Sequence, residues 1–252
     1  MVDTKEILWK NAVTGQQGLT GTLYLTDEEE KAKDLIHRGL AVLGVDRELK
    51  GAVPSARYVC EDPATMTDEE LSVIYCRLHY IPLEVMRLTR VSLRECGPED
   101  VPALQKIYED EEVARFSEAL YPPEEEKAYA RQYMDCAYGF YGYGMWLITD
   151  NTDGKVIGRG GIEKKENPVR QEDLGVELGF LLAKEARGKG YMKEVIPAIL
   201  RFAGEELKEP LVYAVVRKEN VPSLQLLLSL GFRAAGEFTK DGYDCTYLEY
   251  LL

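Results

Sequence analysis

Val176-Glu177-Leu178-Gly179-Phe180-Leu181-Leu182, followed by Ala186-Arg187-Gly188-Lys189-Gly190-Tyr191-Met192, is the stretch on which the reading of this chain turns. The first run is apolar with one acid and reads as a buried strand. The second opens on a polar turn with two glycines and leads into a helix. That helix carries Met192, Val195, Ile196, Ile199, Leu200 and Ala203 at helical spacing. The first N–H groups of a helix have no intrahelical partner, and its dipole places partial positive charge at the same end. A strand feeding a glycine-rich turn at a helix start is therefore an anion site, and glycine lets the backbone approach the anion closely. The segment predicts a ligand that carries phosphate. Pro197 lies inside the helical pattern and predicts a kink or a loosened turn.

Downstream, Leu211–Val216 reads as a strand, and Asn220 caps a helix over 221–230 that ends at Gly231. Two strands, about 233–238 and 243–251, close the chain. Upstream, Arg90–Arg94 reads as a strand. Pro98-Glu99-Asp100 starts a helix with Val101, Leu104, Ile107 and Tyr108 inward, and Pro122-Pro123 starts another with an acidic first turn. Tyr138–Gly144 reads as a loop rich in glycine and tyrosine, suited either to holding an amine against aromatic faces or to a packed turn. The strands Met145–Thr149 and Val156–Lys164, joined at Asn151–Gly154, form a hairpin pattern.

The first third is organised differently. Thr22–Leu25, Leu40–Leu43 and Arg57–Cys60 read as strands. A helix with Ala32, Leu35 and Ile36 on one face stops at Gly39, and Thr67 with Glu70 forms a capping box for a second helix with Leu71, Ile74, Tyr75 and Leu78 inward. This order predicts a small α/β layer with a partly parallel sheet, a reduced Rossmann-like or haloacid-dehalogenase-like unit over residues 1–88. Asp27 follows a strand, where such folds often keep a catalytic acid, but Glu29 stands where a second Asp is needed. No role is predicted for this unit.

The formal net charge of −13 over 252 residues argues against nucleic acid as a partner and against an anionic membrane surface, and it suits a cationic amine. Five cysteines without CxxC spacing predict free thiols in a reducing compartment and no metal site. The N-terminus lacks a signal-peptide pattern, and no apolar run reaches the roughly 18 residues of a membrane span. The expectation is a cytoplasmic protein.

The order of elements from about residue 90 to the end resembles the GNAT superfamily of acetyl-coenzyme-A-dependent N-acetyltransferases. The family's glycine pattern is matched by Arg187-Gly188-Lys189-Gly190-Tyr191-Met192, with Glu185 where Gln or Arg is usual. Asn220-Val221-Pro222-Ser223 followed by Leu230-Gly231-Phe232 is similar to a signature of the branch that acetylates the N-termini of ribosomal proteins. The resemblance implies an α/β (α+β) domain over 89–252, with a mixed central sheet flanked by helices and two central strands splayed apart. It implies acetyl-coenzyme A as co-substrate, its pyrophosphate on the backbone of Arg187, Gly188, Lys189, Gly190, Tyr191 and Met192. The pantetheine arm would lie along Phe180, Leu181 and Leu182, with Asn220 and Ser223 in contact with the coenzyme.

The acceptor implied is a primary amine, a small molecule or a peptide N-terminus, acetylated by direct attack. Glu177 is the candidate general base, with Glu163 on the neighbouring strand as the alternative. A carboxylate in a partly dry cleft gains basicity suited to that task. Many GNAT enzymes place a tyrosine four residues after the Ser223 position as the acid for the leaving thiolate. Leu227 stands there in this chain, which makes Ser223 the candidate. A coenzyme-sensing module without transferase activity is the alternative function. The oligomeric state is left open.

Overall fold

The computed structural model describes residues 2–8, 20–170 and 174–252, with side chains from Gly21 onward. It divides into two compact units, 1–84 and 85–252.

In the first unit, strands β1 (Val2–Leu8), β2 (Thr20–Thr26), β3 (Ala41–Val45) and β4 (Tyr58–Cys60) form one sheet in that order. β1 runs antiparallel to β2, while β2, β3 and β4 are parallel. Alternation along the strands sends side chains to two cores. Leu23, Leu25 and Leu43 pack with Leu71 and Cys76 of α2 (Asp68–His79), and Val42 packs with Ala32 and Leu35 of α1 (Glu29–His37). The Thr67–Glu70 capping box is formed, and Gly39 ends α1 with φ of +74°. Ile36, expected to face inward, is exposed, because this nine-residue helix turns only Ala32 and Leu35 fully onto the sheet. Glu29 bonds Ser55 and pairs with Lys33, so it is engaged away from Asp27.

The second unit is an eight-stranded mixed sheet in the order β11-β12-β10-β9-β8-β7-β6-β5. Its strands are β5 (Glu84–Arg87), β6 (Val91–Arg94), β7 (Met145–Asp150), β8 (Val156–Glu166), β9 (Leu174–Leu182), β10 (Leu211–Arg217), β11 (Arg233–Lys240) and β12 (Tyr243–Leu251). Neighbours from β6 to β9 and from β10 to β11 pair antiparallel, and β9 with β10 is the parallel join. Helix α6 (Met192–Glu205) covers one face. It buries Met192, Val195, Ile196, Ala198, Ile199, Leu200 and Ala203, each large apolar side chain contributing about 1.5–3 kcal/mol. A Cβ on Gly160 would lie 3.3 to 3.6 Å from Ile148, Ile199 and Val195, so from Gly158 onward, past a bulge in the pairing with β7, the even-numbered residues of β8 face this helix. The odd-numbered residues face α3 (Val101–Tyr108) and α5 (Pro123–Tyr133). The helical pattern runs unbroken through Pro197, which removes only the bond to the Lys193 carbonyl one turn earlier.

Two elements differ from the sequence expectation. A short helix α4 (Glu111–Phe116) follows α3, capped by the Asp110 carboxylate. Met134–Tyr141 is a π-helix, so most of the expected glycine–tyrosine loop is helical, ending at Gly142 with φ of +79°. In a π-helix residues five apart align. Tyr133 and Tyr138 accordingly pack edge to face, 5.2 Å between centroids. Among the described residues no helix is long and apolar enough to cross a membrane.

Candidate active site

β9 and β10 stay in register only at Val176–Val212 and Glu177–Tyr213. Beyond Glu177 the two strands part, while β9 remains paired to β8 as far as Leu182. The β10-facing backbone of Leu178–Leu182 is thus an unpaired strand edge inside the sheet. A cavity of ≈ 420 Å³ occupies the gap, lined among others by Glu163, Glu177, Phe180, Leu181, Asn220 and Ser223.

At the far end of β9 lies the glycine turn. Gly188 and Gly190 have φ of +72° and +77°, and no protein atom stands within 3.9 Å of where their Cβ atoms would be. Glycine is required here by backbone conformation and not by crowding. Arg90 organises the turn. Its guanidinium donates to the carbonyls of Lys189 (2.9 Å) and Gly190 (3.0 Å), bonds Glu194 at 2.9 Å and lies over the Tyr191 ring. In a trans peptide the N–H points opposite to the carbonyl of the same plane. Fixing those two carbonyls therefore turns the N–H groups of Gly190 and Tyr191 away from Arg90. The five successive N–H groups of Gly188–Met192 have no acceptor among the described residues.

The side chains of this stretch are otherwise employed. Arg187 donates to the Leu182 carbonyl, to Asp110 at 2.8 Å and to Glu112, tying the turn to the start of α4. The Tyr191 hydroxyl bonds Asp150, Met192 is buried, and Lys189 and Glu185 are exposed. What the turn offers a ligand is backbone.

The wall of the gap is built from side chains. Glu163 and Glu177 lie directly opposite each other on β8 and β9, an arrangement of like charges that is unfavourable in itself. Lys165 lies between them, 2.9 Å from Glu163 and 3.4 Å from Glu177. Glu163 is further fixed by the Tyr133 hydroxyl at 2.6 Å, and that oxygen accepts the Met145 N–H at 2.8 Å. Burial opposes the charge on Glu163, but the Tyr133 hydrogen bond and the Lys165 ammonium outweigh it and hold this carboxyl below its usual value. The same surroundings push the Tyr133 hydroxyl far up, burial first. Among the described residues Glu177 has only the longer ion pair to Lys165, and it is the freer of the two carboxylates.

Asn220 caps α7 (Val221–Ser229) by accepting the Ser223 N–H at 3.3 Å. Both residues line the gap, on the β10 side. Leu227 is fully buried, consistent with its having no proton to offer. The aromatic lining is supplied by Tyr108, Phe116, Tyr121, Tyr129 and Phe180, and not by the Tyr138–Gly144 segment. Tyr138 is buried instead, bonding the Met145 carbonyl at 2.5 Å and accepting the Cys96 N–H. All five cysteines are free thiols, and burial pushes the Cys96 thiol up to about 12.

Residues 90–233, more than half of the chain, match the model of the acetyltransferase (GNAT) domain. The chain belongs to the GNAT acetyltransferase family. A curated relative, the uncharacterized N-acetyltransferase p20 of Bacillus licheniformis, is 28% identical over 158 residues, 61% of this chain and 85% of that protein. Among solved structures, the GNAT-family acetyltransferase of Bacillus anthracis is 20% identical, with a TM-score of 0.55 over 66% of this chain and 97% of its own. The ribosomal-protein-S5-alanine acetyltransferase of Vibrio fischeri is 17% identical, with a TM-score of 0.56 over 66% and 95%. These two likenesses show the shared GNAT fold. The chain is thus an acyltransferase of the GNAT type, a family whose co-substrate is acetyl-coenzyme A and whose acceptors are amines.

Proposed function

We propose that residues 89–252 form the catalytic domain and transfer an acetyl group from acetyl-coenzyme A to a primary amine by direct attack, in the gap between β9 and β10. The observation that carries this reading is the run of five unpaired N–H groups at Gly188–Met192, placed at the end of the strand edge that β10 leaves open. These groups suit a pyrophosphate. The open edge at Phe180, Leu181 and Leu182 suits the amide-bearing pantetheine arm, and an N–H on it can stabilise the oxyanion that develops on the acetyl carbonyl.

Glu177 takes a proton from the acceptor ammonium, directly or through one water. The amine nitrogen then forms its bond to the acetyl carbon as the carbon–sulfur bond breaks. Ser223, or a water that it holds, supplies the proton to the departing thiolate. Glu163, fixed by Tyr133 and Lys165, remains ionised and contributes negative field for a cationic acceptor. The catalysis is positioning and proton management. The unit 1–88 has no part in this proposal.

The test is release of free coenzyme A thiol on mixing the protein with acetyl-coenzyme A and a panel of amines and peptides. The expected result is release that depends on the amine and yields the N-acetyl product. Tight binding of acetyl-coenzyme A with no amine-dependent release would contradict the transferase reading and support a sensing module.

A further inference from the structure

One charged group on the wall of the gap has no part in the chemistry above. Arg159 stands on β8, in register with Leu147 of β7 and Leu181 of β9, on the face turned toward α3 and α5, and it lines the cavity. Its side chain is half-buried. Its Nε is shut off from solvent without an acceptor. Among the described residues neither a hydrogen bond nor an ion pair reaches its guanidinium. Of the other cations lining the cavity, Lys240 is exposed to solvent and two are engaged. Lys165 bridges Glu163 and Glu177, and Arg217 donates to the Arg115 carbonyl and lies over the Tyr243 ring. A guanidinium Nε shut off from water with nothing to bond is costly to the protein alone, and such a cost is commonly kept where a ligand offsets it.

Resting on the transferase reading, we propose that Arg159 receives the carboxylate of the acceptor, so that the acceptor class is an amine bearing a carboxylate, such as a free amino acid, and not a plain amine or polyamine. The planar guanidinium presents a fork that matches a carboxylate with two parallel hydrogen bonds. Arg159 and Glu163 share one face of β8 four residues apart, about 13 Å between Cα atoms. That distance is spanned by the two side chains and a small zwitterion between them. The ammonium end then lies toward Glu163 and Glu177, where a proton can be taken, and the carboxylate end toward Arg159.

The experiment uses the full chain, its Arg159→Met and Arg159→Lys variants, and matched sets of three compounds. Each set is a protein amino acid, its α-carboxamide and the amine left by decarboxylation. Amine-dependent thiol release is measured, together with calorimetric titration of the coenzyme-A-saturated protein, which reads the contact without turnover. The wild type should prefer the carboxylate by about 10- to 100-fold over both analogues, the range expected for hydrogen bonds to a charged partner. R159M should bring the three compounds to the same value, R159K should keep part of the preference, and the Kd for acetyl-coenzyme A should be the same in all three proteins. R159M should also melt higher than wild type when no ligand is present, whereas a structural arginine would make it melt lower.

Equal binding of carboxylate and carboxamide by the wild type, or a preference that survives in R159M, would overturn the proposal. A loss of acetyl-coenzyme A affinity in R159M would also overturn it, assigning Arg159 to the coenzyme. Arg159-dependent binding without thiol release would uphold the carboxylate contact and overturn the transferase reading alone.

Discussion

The glycine turn and the wall of the gap hold charge in opposite ways. At Gly188–Met192 the ligand-facing groups are backbone N–H, and the side chains nearby are occupied elsewhere: Arg187 with Asp110 and Glu112, Tyr191 with Asp150. On the wall, the groups are side chains from several elements, Arg159, Glu163 and Lys165 from β8, Glu177 from β9 and Tyr133 from α5. A backbone cradle serves any pyrophosphate and depends on two φ values. A side-chain wall depends on who stands opposite whom across the sheet. In the proposed reaction the first would hold the coenzyme and the second would select the acceptor.

Breaking the cradle should give the largest effect on the coenzyme. Gly190→Val places a β-branched residue at φ of +77°, where the cost is backbone strain, since only Arg90 lies near the new Cβ, at 3.9 Å. The Kd for acetyl-coenzyme A should rise about 100-fold by titration as the N–H groups shift, the equivalent of losing charge-assisted hydrogen bonds. An unchanged Kd would mean that the cradle is not where the coenzyme sits.

The wall is sharpened by Tyr133→Phe. The Tyr133 hydrogen bond helps hold Glu163 below its usual value, so the carboxylate stabilises the fold above its unfolded pKa of about 4.3, and this contribution is lost as pH falls through the lower folded value. Y133F should therefore lower the melting temperature at pH 7, with the gap to wild type narrowing as pH falls below that range to the part left by the lost Met145 N–H bond, which does not titrate. Coenzyme affinity should not change. A gap that widens in acid would contradict the assignment.

A smaller effect of the same sign is expected at the anchor of the turn. The Arg187 hydrogen bond, against the opposing effect of burial, lowers the Asp110 carboxyl. Asp110→Asn keeps the helix cap but loses the charge. It should lower the melting temperature slightly at neutral pH and have no effect once the pH is below the folded pKa, as followed by thermal melts across pH. The smallest effect is expected at Cys245, a thiol on the wall of the gap. Cys245→Ala should leave turnover within about twofold by thiol-release assay, since direct attack forms no acyl-cysteine. Loss of turnover would point to a covalent route.

The same contrast governs how much of the site can be read in the sequence. The turn is written in local letters: two glycines between a strand pattern and a helix pattern mark the positive φ values, and Asn220 before Val221-Pro222-Ser223 marks the cap that the structure contains. The apolar face of α6 is equally plain, because its spacing is a property of one helix. The wall is not local. Arg159 looks like an ordinary strand charge until register sets it on the cavity face without a partner, and Glu163 opposite Glu177 is a consequence of the β8–β9 pairing. Tyr133, the last residue of α5, reaches Glu163 from an element 30 residues away in sequence. The aromatic lining gathers Tyr108, Phe116 and Tyr129 from three helices, Tyr121 from the segment before α5 and Phe180 from β9. β5, at four residues, carries too few alternations to stand out, and β1, though seven residues long, reads Val2-Asp3-Thr4-Lys5-Glu6-Ile7-Leu8 with no clean apolar alternation.

We propose Glu177, the freer of two opposed carboxylates, as the base for amine attack in the gap between β9 and β10. The direct measurement is the pH dependence of kcat/KM for thiol release in Glu177→Gln and Glu163→Gln, side by side with wild type. The account predicts that E177Q loses about 100- to 10,000-fold in rate together with the acidic limb of the profile. E163Q should keep that limb and lose far less. An unchanged profile in E177Q, with the limb lost in E163Q, would contradict it.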